Sequence, residues 1–240
     1  MRGGILIVGS LLWDDRPERK KWREARLIIE DAVHAKVPIH YGRRSVTRGN
    51  TFTMVIAADG RLGNAIIAPC RTEFADIDTI MAEAGELWLA EQPSAAPGNI
   101  SALWGCVGVR FRDDPALASC ARAWADRFRE KRASSVYPVR DDGVLDIPWP
   151  VATGNGTIYL DLILATATKH EANRPRPEDV ADAWVDQVQG HEAYFFENVQ
   201  HGIRTPDDPL IWRRIQDRRP RWLSGEAYSE AIAILRAEPR

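Results

Sequence analysis

Cysteine is scarce in this chain of 240 residues, which contains only Cys70, Cys106 and Cys120. The three cysteines lie far apart, form neither a CxxC nor a CxxH spacing, and are odd in number. This pattern excludes a disulfide framework and a zinc knuckle as the basis of the fold. A reducing compartment fits such a chain best, so we predict a cytoplasmic protein.

The sequence also lacks an excess of charge and a long apolar run. Lys and Arg number 32 against 34 Asp and Glu, a net charge of −2, so no overall field would recruit nucleic acid or an anionic membrane. The apolar run at residues 5–13 is too short to span a bilayer and has no small-residue cleavage site. We therefore expect neither nucleic acid nor a membrane as a partner.

Paired histidines are missing as well. The histidines at positions 34, 40, 170, 191 and 201 show no HxH, HxxxH or HExxH spacing. Such spacings are typical of metal sites because they bring two imidazoles to one side of an element. We expect no metal, and Ser10 belongs to no GxSxG elbow that would make it a nucleophile.

What the sequence has is an ordinary globular composition, 45% hydrophobic and 28% charged, with strand and helix patterns. Apolar and β-branched runs predict strands at residues 5–13, 25–29, 51–57, 65–69, 103–111 and 157–166, the third and fourth forming a hairpin through Ala58-Asp59-Gly60. Helical periodicity predicts helices at residues 76–91, from Pro115, from Pro177 to an end at Gly190, at 192–201, and after a cap at Ser224. We predict a single α+β domain over residues 1–240, helical from about residue 175 to 240.

The segment Gly9-Ser10-Leu11-Leu12-Trp13, at the end of the first predicted strand, resembles the glycine-serine loop of γ-glutamylcyclotransferases. It is closest to the GSLIW form of the ChaC-like, glutathione-specific group. Further similar segments follow in the family's order: Arg48-Gly49, Trp104-Gly105, Phe128-Arg129-Glu130-Lys131, and residues 191–207, which resemble the family's REYLFNLA helix and the turn after it. Residues 175–184 also resemble the family's helix entry, so the similar segments run in order from the first strand to the final helices.

The resemblance implies a small mixed β-barrel or curved sheet flanked by helices, with a pocket where the loop meets a helix end. The implied reaction is cyclisation of a γ-glutamyl compound to 5-oxoproline, an acyl-transfer or lyase chemistry of glutathione metabolism that needs no cofactor. The α-amine attacks its own γ-carbonyl, and one Glu moves the proton to the leaving amine. Backbone N–H groups from Gly9 to Leu12 would hold the substrate's carboxylate or oxyanion, and Tyr194 would line the pocket.

Three glutamates are candidates for the catalytic acid–base group. Glu83 lies on the flank of the apolar stripe of its predicted helix, where a side chain can reach a cleft, whereas Glu86 points away from that stripe. Glu130 occupies the family's catalytic position in the match at residues 128–131. We rank Glu130 first, Glu83 second and Glu86 third.

The sequence departs from the family pattern immediately before the loop, where Val8 and Ile7 replace the family's Tyr and Gly, and it carries one extra strand-helix unit, near residues 65–91 or 103–131. One alternative is therefore a catalytically inactive domain of the same fold that binds a small acidic ligand. A second is a nucleic-acid or protein interaction module that uses the Trp- and Arg-rich residues 212–222, since aromatic and basic side chains together contact bases and phosphates. The oligomeric state is not readable from the sequence.

Overall fold

A computed structural model describes residues 1–154, 156–186, 191–223 and 226–237. Its strands are β1 Gly3–Ile7, β2 Val33–Ser45, β3 Thr51–Ile56, β4 Leu62–Pro69, β5 Ser101–Ala102, β6 Gly105–Phe111, β7 Val151–Ala152 and β8 Leu162–Thr168. Its helices are α1 Pro17–Arg26, α2 Ile77–Glu91, α3 Ala118–Glu130, α4 Pro177–Val185, α5 Ala193–Gln200, α6 Asp208–Arg218 and α7 Ser229–Ala237. The predicted helix end at Gly190 and the predicted cap at Ser224 lie outside the described residues.

The strands form one mixed sheet in the order β3-β2-β4-β1-β8-β6-β5, with β7 beside β2. Only β1 and β8 pair in parallel; the other pairings are antiparallel. This combination of helices and a mixed sheet is consistent with the predicted α+β class. The sheet is not closed in the described part of the chain, so the barrel that the resemblance allowed does not form, although β3 approaches β8 as the sheet curves.

Strand β2 is the longest in the sheet, and it corrects the predicted hairpin. Its first half pairs with β4 and its second half with β3, whereas β3 and β4 do not pair with each other. Ala58-Asp59-Gly60 does form a turn, with the N–H of Gly60 donating to the carbonyl of Ala57 at 3.0 Å. Because β2 is 13 residues long, β3 and β4 pair with different parts of it.

The strand predicted at residues 25–29 is wrong, because α1 occupies residues 25 and 26 and a 3-10 turn begins at Ile29. Pro17 stands in the first turn of α1, where its fixed φ favours a helix start. The buried side of the helix carries Arg19, Trp22 and Arg23, so an apolar stripe could not reveal it. Leu27, just beyond the helix, forms only an isolated bridge to Cys70.

The C-terminal helices share one hydrophobic core with the sheet. Trp184 of α4 packs edge-on against Tyr41 of β2 at 5.1 Å between ring centroids, and Phe195 and Phe196 of α5 are fully buried. Strand β8 begins at Leu162, five residues after the predicted start, because Asp161 bonds to the Arg2 N–H and to Arg112 at its entrance. No helix in the described ranges is long and apolar enough to cross a membrane.

Acid is expected to destabilise this fold through His40 of β2. The side chain is 6% exposed, and no described residue bonds to its Nδ1. Burial, with the charge of Arg174, lowers the pKa of His40 from 6.5 to about 4. Because the folded pKa is depressed, its stabilising contribution is complete above pH 6.5 and falls as pH drops toward 4, a loss of about 3 kcal/mol. Urea unfolding of wild type and His40→Leu between pH 7 and 4 measures it; an equal acid loss in both would contradict the prediction.

Candidate functional site

A cavity of about 320 Å³ lies where the loop after β1 meets the ends of β2, β8 and α2. Its wall includes four arginines and one carboxylate, namely Arg16, Arg19, Arg43, Arg48 and Glu91. Hydroxyls of Ser10, Ser45, Thr53, Thr166 and Thr168 complete the polar part, and Trp104 and Tyr194 supply aromatic rings. The cavity is therefore suited to a small polar ligand that carries negative charge.

The loop after β1 presents backbone N–H groups at this cavity. Within it, the N–H of Leu12 donates to the Gly9 carbonyl at 3.1 Å, and the N–H of Asp14 donates to the Ser10 carbonyl at 2.8 Å. None of the described residues accepts a hydrogen bond from the N–H of Gly9, Ser10 or Leu11. Unpaired amides of this kind bind carboxylates and oxyanions. Gly9, Ser10 and Leu11 line the cavity, whereas Leu12 does not.

Arg19 of α1 fixes the position of the loop. Its side chain is 7% exposed, and it donates to the Ser10 hydroxyl at 2.7 Å and to Asp14 at 3.0 Å. On its other side it donates to Glu91 at 2.7 Å and to the Ala90 carbonyl at 3.3 Å. Burial lowers the pKa of Arg19, and the charge of Glu91 opposes that shift. One cation thus joins the loop to the C-terminal end of α2, where positive charge is favoured.

Arg23, one turn further along α1, holds the other side of the loop. It donates to the Leu11 carbonyl at 3.0 Å and to the Asp14 carbonyl at 2.8 Å, and it also pairs with Asp15. These bonds satisfy carbonyls that a tight turn would otherwise leave without donors. The loop is therefore built by two arginines on one side of a helix.

Helix α5 closes the loop from the opposite side. Trp13 donates from its ring nitrogen to Asn198 at 2.8 Å, and its ring lies 5.9 Å from that of Tyr194, edge to face. The Tyr194 hydroxyl accepts a bond from the Met54 N–H at 3.1 Å, and burial raises the pKa of Tyr194. Arg48 stacks 4.9 Å over the Tyr194 ring and lies 3.6 Å from Asp14. Tyr194 lines the cavity.

The three predicted glutamates are outside the cavity. Glu83, 1% exposed, pairs with Arg26 at 2.5 Å between α2 and α1; burial raises its pKa despite the bond from Arg26. Glu86 is exposed on α2. Glu130 is exposed on α3 and pairs with Arg127 at 3.1 Å. The carboxylate that does line the cavity is Glu91, the last residue of α2.

Sequence reasoning missed Glu91, Arg19 and Arg43, although weak signals for two of them exist. Arg19, Arg23 and Arg26 recur at helical spacing along α1, in a segment with no apolar stripe to suggest a helix. Glu91 immediately precedes Gln92-Pro93, where the predicted helix ends and where side chains reach a pocket edge. Both signals look like ordinary surface charge until the packing is known.

The Trp- and Arg-rich residues 212–222 lie away from the cavity, on α6 and the turn after it. Arg214 pairs with Asp182 of α4 at 2.8 Å, and Arg218 pairs with Asp182 and Asp186, each at 2.9 Å. Trp212 is buried. Much of the basic and aromatic character of this segment is thus used to dock α6 on α4.

Comparisons with models of known protein families and with curated proteins found no match to this chain. Among the described residues, no group of three or more His, Cys, Asp or Glu side chains could hold a metal ion. The side chains of the cavity are therefore the basis for assigning its chemistry.

Gly9 is expected to be required for the contact between the loop and Tyr194. A Cβ at this position would lie 2.6 Å from the Tyr194 hydroxyl oxygen, but 3.5 Å from the nearest ring carbon. Gly9→Ala should cost about 1–3 kcal/mol of stability, the usual effect of overpacking. The cost should shrink in a Tyr194→Phe background, which removes the clashing atom. Urea unfolding of the four proteins measures the coupling; additive effects would contradict this account of the loop.

Proposed function

We propose that this protein is a γ-glutamylcyclotransferase-like enzyme that releases 5-oxoproline from a γ-glutamyl compound. The observation that carries the proposal is the meeting, in one small cavity, of three unpaired loop amides and one carboxylate. Gly9, Ser10 and Leu11 supply the amides, and Glu91 supplies the carboxylate. This combination matches what an intramolecular acyl transfer needs, namely an anion grip and a proton carrier.

Glu91 takes the acid–base role in this proposal, in place of Glu130, Glu83 and Glu86. Its Oε2 accepts the bond from Arg19, while no described residue donates to its Oε1. The side chain is 20% exposed, so Oε1 is available to a ligand. Arg19 orients the carboxylate, and Oε1 accepts the proton of the attacking amine.

The reaction proceeds by making one C–N bond and breaking another. The α-ammonium of the γ-glutamyl group first gives one proton to solvent, the free amine attacks the γ-carbonyl carbon, and Glu91 removes a second proton from that nitrogen. The oxyanion that forms accepts hydrogen bonds from the loop amides. As the old amide bond breaks, Glu91 returns its proton to the leaving amine, and 5-oxoproline departs. The released amine takes up one proton from solvent, so the cycle is neutral in protons and needs no cofactor.

A second candidate is an inactive domain that binds a small acidic ligand in the same cavity. The observation that favours it is the ion pair between Glu91 and Arg19, because Oε2 of the carboxylate is already engaged by a buried protein donor. In that case the cavity would bind γ-glutamyl compounds or related acids without turnover. Binding and 5-oxoproline release therefore have to be measured separately.

The Glu91→Gln variant is expected to lose turnover because an amide cannot carry the proton. The assay follows 5-oxoproline release from glutathione and from γ-glutamyl dipeptides. Loss of general acid–base help lowers the rate by about 10²- to 10⁴-fold. Glu86→Gln, exposed on the same helix, is the matched control and should keep the wild-type rate.

Unfolding in urea accompanies each assay, because Glu91→Gln also removes a partner of buried Arg19. Glu83→Gln should lose stability, by about 3 kcal/mol for a broken buried pair. The assignment fails if Glu130→Gln abolishes release while Glu91→Gln retains it. Ligand binding by wild type with no release from any compound would favour the inactive domain.

A further inference from the structure

Arg43 is the one cavity arginine for which, in the described part of the chain, neither an ion pair nor a hydrogen-bond acceptor is found. Arg16, Arg19 and Arg48 each pair with Asp14, and Arg19 also with Glu91. The Arg43 guanidinium instead stacks on the Trp104 ring, 4.4 Å from its centroid. Burial lowers the pKa of Arg43, and the charge of Glu91, which forms no ion pair with it, opposes that shift. A desolvated cation that no described carboxylate contacts costs free energy, which an anionic ligand group would offset.

The strand is shaped to direct Arg43 inward. The pairing of β2 with β3 shifts by one residue between Tyr41 and Arg43, a bulge centred on Gly42. A Cβ on Gly42 would lie 2.6 Å from Val55 and 2.8 Å from His40, so a larger residue would not fit. Bulges commonly re-aim a side chain beside a site. Its neighbour Arg44 stacks on Phe52, 4.1 Å from the centroid, and does not line the cavity.

The side chains around Arg43 form a polar subsite, which we call the strand-end subsite: Arg43, Trp104, Thr166 and Thr168. Gly105 pairs with Thr168 across β6 and β8, which brings Trp104 beside that end of β8. The buried hydroxyl of Thr166 has no hydrogen-bond partner among the described residues, although Thr166 lines the cavity. A second polar group of the cavity wall thus also lacks a partner among the described residues.

The charge of the cavity points the same way. Four guanidiniums line it, whereas two carboxylates, Glu91 and Asp14, pair with them. The head group of a γ-glutamyl compound carries one carboxylate and one ammonium, so it is neutral overall. It cannot balance the excess of positive charge, and another part of the ligand has to be anionic.

We infer that Arg43 is a specificity-determining residue that binds a second anionic group, on the leaving-group side of the ligand, in the strand-end subsite. The inference rests on the proposed function for its description of the head group. Arg43 would make the protein bind γ-glutamyl compounds whose leaving amine carries a carboxylate more tightly than those whose leaving amine is uncharged. Arg suits this role because its planar fork donates two parallel bonds to a carboxylate.

Matched ligands that differ by one charge test the inference. The probes are γ-glutamylglycine and γ-glutamylglycinamide, and glutathione and its C-terminal amide. Calorimetric binding to wild type, Arg43→Gln, Arg43→Lys and Arg44→Gln is measured, with 5-oxoproline release followed separately. Thermal unfolding of the free proteins checks that each variant is folded.

Wild type should bind each acid about tenfold or more tightly than its amide, the effect of one hydrogen-bonded charge. The ratio should fall to about one in Arg43→Gln, take an intermediate value in Arg43→Lys, and stay at the wild-type value in the matched control Arg44→Gln. An unchanged ratio in Arg43→Gln, or no binding of any probe to wild type, overturns the inference. Equal binding of acid and amide also overturns it if inorganic phosphate raises the thermal stability of wild type but not of Arg43→Gln. Arg43 would then bind a separate anion.

The two proposals fail in different ways. If no compound yields 5-oxoproline but the acid-to-amide ratio collapses in Arg43→Gln, the anion subsite stands and the cyclotransferase activity does not. If release occurs and the ratio ignores Arg43, the activity stands and the subsite does not.

Discussion

The buried guanidinium of Arg19 is the interaction on which the rest of the site depends. It is bonded on one side to the loop after β1 and on the other to the end of α2. Removing it would leave Glu91 without its ion-pair partner and would break the link between the loop and the end of α2, although Asp14 would keep its pairs with Arg16 and Arg48. Because α1 and α2 are also joined by Arg26 and Glu83 at 2.5 Å, two ion pairs hold the two helices. The geometry of the loop amides is therefore set by ionic contacts as well as by apolar packing.

Holding the loop with buried ions has a cost in desolvation free energy and a benefit in specificity. Burying Arg19, Arg23 and Glu83 requires desolvation, which apolar side chains of similar size would avoid. Each group is offset by several bonds with fixed directions, and directional bonds specify one loop conformation better than apolar contacts do. The same argument distinguishes Arg43, which makes no such bonds within the described residues. Its desolvation has no comparable compensation within the described residues, and this difference is the basis for proposing that it contacts a ligand.

The sequence predicted those parts of the fold that follow apolar periodicity. Helix α2, the helix beginning near Pro115 and strands β3, β4 and β6 lie close to where their patterns indicated. Helix α1 was missed because its buried side is made of arginines, and the β3–β4 hairpin was wrong because pairing partners depend on the length of β2. For the site, the resemblance predicted Gly9 to Leu12 and Tyr194, of which all but Leu12 line the cavity, and it did not predict Glu91. A carboxylate at the end of a helix carries no local signal, since only tertiary packing brings it to the loop.

The side chains of this site therefore fall into two groups that differ in what a variant at each position would change. Arg19 both builds the loop and lines the cavity, so a variant at that position changes structure and binding together, whereas Arg23 builds the loop without lining the cavity. Arg43 and the Oε1 atom of Glu91 face the cavity without holding the loop. The chemistry of the site can be separated from its architecture only at these positions. A cavity whose frame already consumes most of its ionic bonds leaves few groups for a ligand, and those few define what the ligand has to carry.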